Sequence, residues 1–543
     1  MPIQSANVPE ITTLENWPKG MNQQARRGAI DDQEQWWCEN LFAMGTGNLR
    51  SCWGPSGPIY TAPAGTTILR IFFGFIGWPT PQFAAPGPQY GGRLGWMFLS
   101  NGDIDQVDLD TQQVTTIPGA WEDVPPQHWA DCVVWRPRFF GSVAGQTGGV
   151  LFGSPKGLYA WDGTTLYAPG DDAPDWLTDQ AESGVPPTGP TVMPTGLPGI
   201  YSMEVYQSRL WVAGKDVLAF SAPNNGADFS ATNGGGSVGY LGNVLTYSFM
   251  DMKQTAGFLY VYGDSSTHLI SNVQLVGSGT LTDPFVTNFN FQNLDPQVGQ
   301  RYPRWSGRIG RHLQMFNGAG LFEITGGDAR PIAQKISNLW ETLDDTSFYP
   351  TFATATMFGF RVLLANGNFT DTWGRKRSIM LMWHPERGAE FWSVASQHYE
   401  LTHIGHYEQD SIIRPYGTDG TSLYELFHAP DPTLVKRLST KALRGSGTAR
   451  LIEKNFKRLY MEIHDNFGGG VSITGTVSAV TGGMPGGVQD VGFDLTQGVS
   501  YSMEPWPLSG GGIAAAIDLQ SISPDFTLER LHLAAEERTL YGA

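Results

Sequence analysis

Apolar and polar positions alternate in short runs along most of this chain, and Gly, Asn, Asp and Pro break the runs before a helix could complete three turns. Trp96-Met97-Phe98-Leu99 leads into Ser100-Asn101-Gly102-Asp103, and Ile104-Asp105-Gln106-Val107-Asp108-Leu109 then alternates. This predicts a strand, an Asn-Gly turn and a second strand, because Asn-Gly accepts the positive φ values of a tight hairpin. Helical spacing is confined to two places. Residues 31–43 (DDQEQWWCENLFA) predict one short helix, and 526–538 (FTLERLHLAAEER) predict another, or a closing strand.

The hairpin units recur around a leucine flanked by apolar or aromatic residues and followed by Gly, Asp or Pro. The leucines stand at 109, 158, 218, 269, 321, 381 and 423, spaced by 49, 60, 51, 52, 60 and 42 residues. That period matches one four-stranded propeller blade with generous loops. A single sheet cannot bury both faces, whereas sheets stacked in a ring can. The expected fold is all-β: a β-propeller of six or seven blades with a small C-terminal β-rich extension. A string of β-sandwich domains is the alternative. The expected division is an N-terminal arm and closing strand over 1–60, the propeller over 61–439, and a sandwich-like region or blade insertions over 440–543. Residues 180–199, rich in Pro and Gly, predict a long inter-blade loop.

Composition agrees with many short strands joined by turns: 68 glycines, 36 prolines, 12% aromatic and only 16% charged residues. The formal charge of −17 argues against a broad basic face that grips nucleic acid or anionic lipid. It leaves room for a wall along which DNA slides. Cys38, Cys52 and Cys132 form no CxxC pair and suit free thiols in a reducing cytoplasm. The start of the chain lacks the basic and apolar regions of a signal peptide, and the most apolar stretch, 68–78, is short and interrupted by Arg70. Synthesis in the cytoplasm and no membrane span are expected.

The chain has no HExxH, no GxxxxGK[ST] and no GxGxxG opening a helix. No carboxylate pair stands out for glycoside hydrolysis. Asp103, Asp105, Asp108 and Asp110 alternate without the spacing of a calcium loop, and a solvated strand face is expected for them. His403 and His406 have no Cys or acid at ligand spacing and read as polar surface. The compact basic run Arg375-Lys376-Arg377 is a candidate contact for a partner. Trp36 and Trp37, in a tryptophan-dense first quarter, are candidates for the N-terminal closure or an adjacent subunit. No catalytic residue, cofactor or metal site is expected.

The stretch Met203-Glu204-Val205-Tyr206-Gln207-Ser208-Arg209-Leu210-Trp211-Val212-Ala213-Gly214, continuing through Val217-Leu218-Ala219-Phe220-Ser221-Ala222-Pro223 to Ala227-Asp228-Phe229-Ser230, resembles the tail nozzle proteins of short-tailed bacteriophages. These are also called packaged-DNA stabilisation or head-completion proteins. Asn16-Trp17-Pro18-Lys19-Gly20-Met21-Asn22, Glu39-Asn40-Leu41-Phe42, Gly47-Asn48-Leu49-Arg50-Ser51, the stretch from Arg301-Tyr302-Pro303 to Gly318-Ala319-Gly320-Leu321-Phe322-Glu323-Ile324, and Ala333-Gln334-Lys335-Ile336-Ser337 resemble the same family in order. The resemblance covers roughly 15–430 and is diffuse. It implies a structural virion protein in the tail, a ring (homohexamer) below the portal and the head-to-tail adaptor. Such a ring extends the DNA exit channel, helps retain packaged DNA and seats tail fibre, spike or needle proteins. Double-stranded DNA would pass without sequence-specific binding. The alternative is a propeller-type glycan-binding or glycan-degrading virion protein; a plain binding propeller is a third reading.

Overall fold

The computed structural model describes residues 10–15, 17, 19–44, 47–76, 93–121, 130–135, 148–178, 192–197, 199–239, 249–280, 282–283, 285–295, 298–301, 306–309, 312–317, 320–325, 328–346, 351–385, 392–409, 412–444, 453–481, 484–496 and 501–537. Among them, seven four-stranded antiparallel units follow one another as the blades of a propeller. Their innermost strands are Ile68–Gly74, Asp131–Trp135, Ser202–Tyr206, Phe249–Thr255, Ser306–Ile309, Thr351–Met357 and His403–Gln409. The innermost strand of blade 7 packs against those of blades 6 and 1, which closes the ring. The seven leucines of the sequence period each lie in, or directly behind, the third strand of a blade. They are buried there because the third strand is sandwiched between neighbouring blades.

Each junction between blades has its own apolar cluster. Leu158 and Ala160 meet Met203, Leu210 and Val212 between blades 2 and 3. Trp211 and Phe220 meet Met252 and Val261 between blades 3 and 4. Leu321 meets Leu363 and Leu381 between blades 5 and 6. Tyr60 supplies the last link. Tyr60–Thr61 pairs with Ser422–Glu425 as the fourth strand of blade 7, and the Tyr60 hydroxyl donates to buried Asp105 of blade 1 at 2.5 Å.

A belt of polar groups runs round the axis. Ser202 Oγ sits between Asp131 Oδ2 (3.1 Å) and Asp251 Oδ1 (3.2 Å), and Asp251 Oδ2 accepts from Ser306 Oγ at 2.6 Å. Thr354 Oγ1 donates to the Arg308 carbonyl, and its N–H donates to His406 Nδ1. Arg70 Nη1 meets His403 Nε2 at 2.5 Å. The belt thereby links blades 2 to 7 and returns to blade 1. Between blades 1 and 2 the link is aromatic: Phe98 and Trp96 pack on Phe152, and Gln106 Oε1 accepts from the indoles of Trp96 and Trp161.

A two-sheet sandwich is built from both ends of the described chain. One sheet holds Leu41–Ala43, Leu49–Ser51, Phe526–Glu537, Lys454–Asp465 and Tyr501–Gly512, with Glu10–Glu15 paired to Phe526–Glu537. The other continues blade 6 outward. Its outermost strand, Trp392–Ala395, lies parallel to Gln35–Glu39, followed by Lys436–Leu443, Ala514–Ser521, Val471–Thr481 and Met484–Leu495. Leu459, Ile463, Ile473, Ile517 and Leu531 are in the core between the sheets. The expected helix over 31–43 is instead two strands, Gln35–Glu39 and Leu41–Ala43, because both faces of the segment are covered. Asn40, at φ 54°, makes the break between them. Residues 526–537 form a strand of the sandwich and do not close a blade.

Replacing Tyr60 with Phe leaves the Asp105 carboxylate with one fewer donor in a buried place. The substitution is expected to destabilise the protein by about 1–3 kcal/mol, read as a lower urea midpoint.

Candidate functional site

Blade 6 and the sandwich meet at the only place where the basic run and the tryptophan pair come together among the described residues. The turn after Phe360–Thr370 is held by Asp371, whose Oδ1 accepts the backbone N–H groups of Trp373 and Arg375, with Gly374 at φ 77°. The chain re-enters the sheet at Lys376–Trp383, so Arg375 and Arg377 flank Lys376 and reach back to Asp371 at 2.7 and 3.1 Å. Arg377 also forks onto Glu39, with Nη1–Oε1 at 2.5 Å and Nη2–Oε2 at 2.8 Å. Arg437 (3.2 Å), the indole N–H of Trp37 (3.0 Å) and Ser396 Oγ (3.0 Å) also donate to Glu39, which is fully buried. Burial alone would raise the Glu39 carboxyl, but the hydrogen bonds and charge of Arg377 hold it below the usual carboxylate range.

Trp37 and Arg377 are therefore engaged inside the chain. Trp37 is fully buried and Trp36 is half-buried. Lys376, paired with Asp344 at 2.9 Å, has 69% of its side chain exposed, and Arg375 has 48%. Sequence reading missed Trp373. It is 49% exposed, edge-on to Trp37 at 5.5 Å, with the guanidinium groups of Arg375 and Arg437 over its ring at 5.0 and 5.8 Å. It walls a groove of about 630 Å³ that also meets Thr474, Asp490 and Asp518 of the sandwich.

A second cavity, of about 330 Å³, lies on the propeller axis and is lined by innermost strands, among them residues Arg70, Glu204, Lys253, Arg308, His403 and His406. The two histidines are thus not polar surface. His403 is buried against Arg70, and burial, with Arg308 and Lys253, pushes His406 down to about 4. Asp105 is likewise not solvated, since it receives Tyr60 and Thr116 where blade 1 faces the closing strand; Asp110, by contrast, is exposed and pairs with Arg93.

A third feature is the hairpin of blade 4, Thr267–Val276 with Val286–Asp295. In its first strand Thr267–Ser271 is buried, while Leu275, Val276 and Val286 are 40–50% exposed and no residue of Val286–Asp295 is buried. It leans over blade 3, where Thr287 Oγ1 donates to the Gly234 carbonyl and Phe289 packs on Trp211. Together they frame a largely apolar groove of about 860 Å³, lined by Leu197, Val217, Phe220, Phe229, Phe285 and Val286.

Cys38, Cys52 and Cys132 are free thiols, and burial pushes Cys38 up to about 12. Among the described residues no group of three His, Cys, Asp or Glu could hold a metal ion, and no helix is long and apolar enough to cross a membrane.

The fold defines an all-β protein, a propeller fused to a sandwich. No family model matches the chain, and no curated protein sequence matches it. Among solved structures it is similar to BBS1N in complex with ARL6DN, at 9% identity and a TM-score of 0.40, over 69% of this chain and 97% of that one. It is also similar to a chain of the S. cerevisiae complex of dbp5 with nup159 and gle1 (11%, TM-score 0.22, 70% and 96% covered). A bifunctional GH43-CE protein of Bacteroides eggerthii gives 10%, a TM-score of 0.22 and 62% of each chain. Likenesses this distant carry no functional argument.

Arg377→Ala would leave Glu39 buried with weakened compensation and is expected to cost about 3–5 kcal/mol in chemical unfolding. Lys376→Ala should leave the midpoint in place, since its partner contact is solvated. Because the Glu39 pKa is depressed in the folded state, its contribution is present above the ordinary carboxylate range and is lost as pH falls through the folded value. The acid-side slope of stability should therefore flatten in the Arg377→Ala protein.

Proposed function

We propose that this protein is a structural ring subunit of a virion, the tail nozzle of a short-tailed bacteriophage. In this reading it prolongs the DNA exit channel below portal and adaptor, helps retain packaged DNA, and seats fibres or spikes; it performs no catalysis. The observation that carries the reading is the outward half of the blade 4 hairpin beside the apolar groove of blade 3. An exposed pair of strands carrying Leu275, Val276 and Val286 is a poor element for a lone molecule and a good one for docking a second copy. The stretch most similar to nozzle proteins, 203–230, builds the first three strands of that same blade 3 and part of the groove.

Two further features support it. The axial cavity of about 330 Å³ suits a small molecule and cannot pass a duplex, so any conduit runs between copies and not through one propeller. The charge of −17 suits a wall that does not hold DNA. Trp373, Arg375 and Lys376, exposed at the blade 6 corner, are the proposed contact for a different partner, the adaptor or a fibre.

Negative-stain images of the purified protein, alone and mixed with its adaptor, should show six-fold rings with a central hole. The pair Leu275→Asp and Val286→Asp should weaken association by more than about thirtyfold while circular dichroism stays unchanged. A native protein that remains a monomer in both samples would overturn the reading.

A further inference from the structure

The axial cavity has a charge unlike the rest of the molecule. In a chain of formal charge −17, its described lining carries Arg70, Lys253 and Arg308 against one carboxyl, Glu204. Innermost strands of different blades bring them there: Glu204 from blade 3, Lys253 from blade 4 and Arg308 from blade 5. Arg308 is exposed although it lines the cavity, and its Nη1 donates to the carbonyl of Gln254, another lining residue, at 3.3 Å. Lys253 Nζ stands 4.0 Å from Asp251 Oδ1, whose oxygens already receive Ser202 and Ser306. His406 accepts the Thr354 N–H at Nδ1, so its neutral ring carries the proton on Nε2 as a donor.

We infer that this cavity binds a small dianion, an inorganic oxyanion of sulfate or phosphate size, held between Arg308 and Lys253. A guanidinium fork and an ammonium converging on one small cavity make the donor set such an ion requires. Glu204 regulates the site. Burial pushes its carboxyl up to about 7, with Lys253 and Arg308 drawing it down and Asp131 adding to the rise. Asp251, His403, His406 and Arg70 are the other titratable groups around it. Below about 7 Glu204 is neutral and both cations serve the ion; above it, the carboxylate competes for them. Binding therefore weakens as pH rises. This inference is independent of the ring reading.

Calorimetric titration of the full-length protein with sodium sulfate tests it, against sodium chloride at matched ionic strength, since salt also screens the acidic surface. Sulfate keeps its charge across the pH range used. One saturable site is expected, weaker by more than about fivefold at pH 8 than at pH 6. Arg308→Gln should lower affinity by more than about tenfold, and Glu204→Gln should keep the pH 6 affinity at pH 8. A sulfate response that matches chloride, or that Arg308→Gln leaves unchanged, would overturn the inference. So would a Glu204→Gln protein with the native pH dependence.

Discussion

A twisted four-stranded sheet has two apolar faces, and water penalises both until something covers them. In this protein each blade covers the next, and the count closes: every one of the seven junctions has its own buried cluster, including that between blades 7 and 1. The arrangement works only as a closed circle, because an open arc would leave two end sheets bare. Tyr60 and Thr61 give blade 7 its outer edge, and Tyr60 fixes blade 7 to blade 1 through Asp105. Six of the seven junctions are also pinned by polar groups near the axis, where the strands crowd and a side chain can reach across to the next blade. Among these buried groups a missing partner is costly, so the same groups that link blades also fix their order.

The sandwich is attached by a different physics. Blade 6 does not end at its fourth strand but continues by a parallel neighbour, Gln35–Glu39, into the second sheet. A single buried carboxylate, Glu39, gathers Arg377 from the propeller, Arg437 from the sandwich and the Trp37 indole at that seam. These contacts tie the blade rim to the sandwich, and Trp373, edge-on to Trp37, stands at the join. A surface whose side chains are already held by such contacts loses less freedom when it docks.

The repeat was legible before the fold because it is a periodic demand: Leu158, Leu218, Leu321, Leu381 and Leu423 all answer the same need for a buried third strand. Local chemistry was less legible. Asp105 looks like its exposed neighbour Asp110 in the alternation, and only the distant Tyr60 makes it an interior group. His403 and His406 look polar, yet on the innermost strand of blade 7 they face opposite neighbours, His403 meeting Arg70 of blade 1 and His406 meeting Thr354 of blade 6. Residues 31–43 read as helical since Trp36, Trp37, Leu41 and Phe42 fall at nearly helical spacing, while cover on both faces favours extended chain. The basic run and the tryptophan pair were each visible; their meeting was not, because Arg377 and Glu39 lie 338 residues apart. Trp373 gave no signal beyond being a tryptophan in a turn.

The sandwich weaves the two ends of the described chain together, with Thr13 bonded to His532 and Glu10–Glu15 paired along Phe526–Glu537. On the ribosome this imposes a waiting time. At roughly 5–20 residues per second, strands from 10–51 emerge on the order of half a minute or more before their partners exist. Trp37 and Phe42 wait for the blade 6 residues they pack against, and Leu41, in the core between the two sheets, waits for strands from 454 onward. The early segment 10–51 is therefore among the last to settle, and it needs sheltering, by chaperones or by slow local collapse, until 526–537 is released.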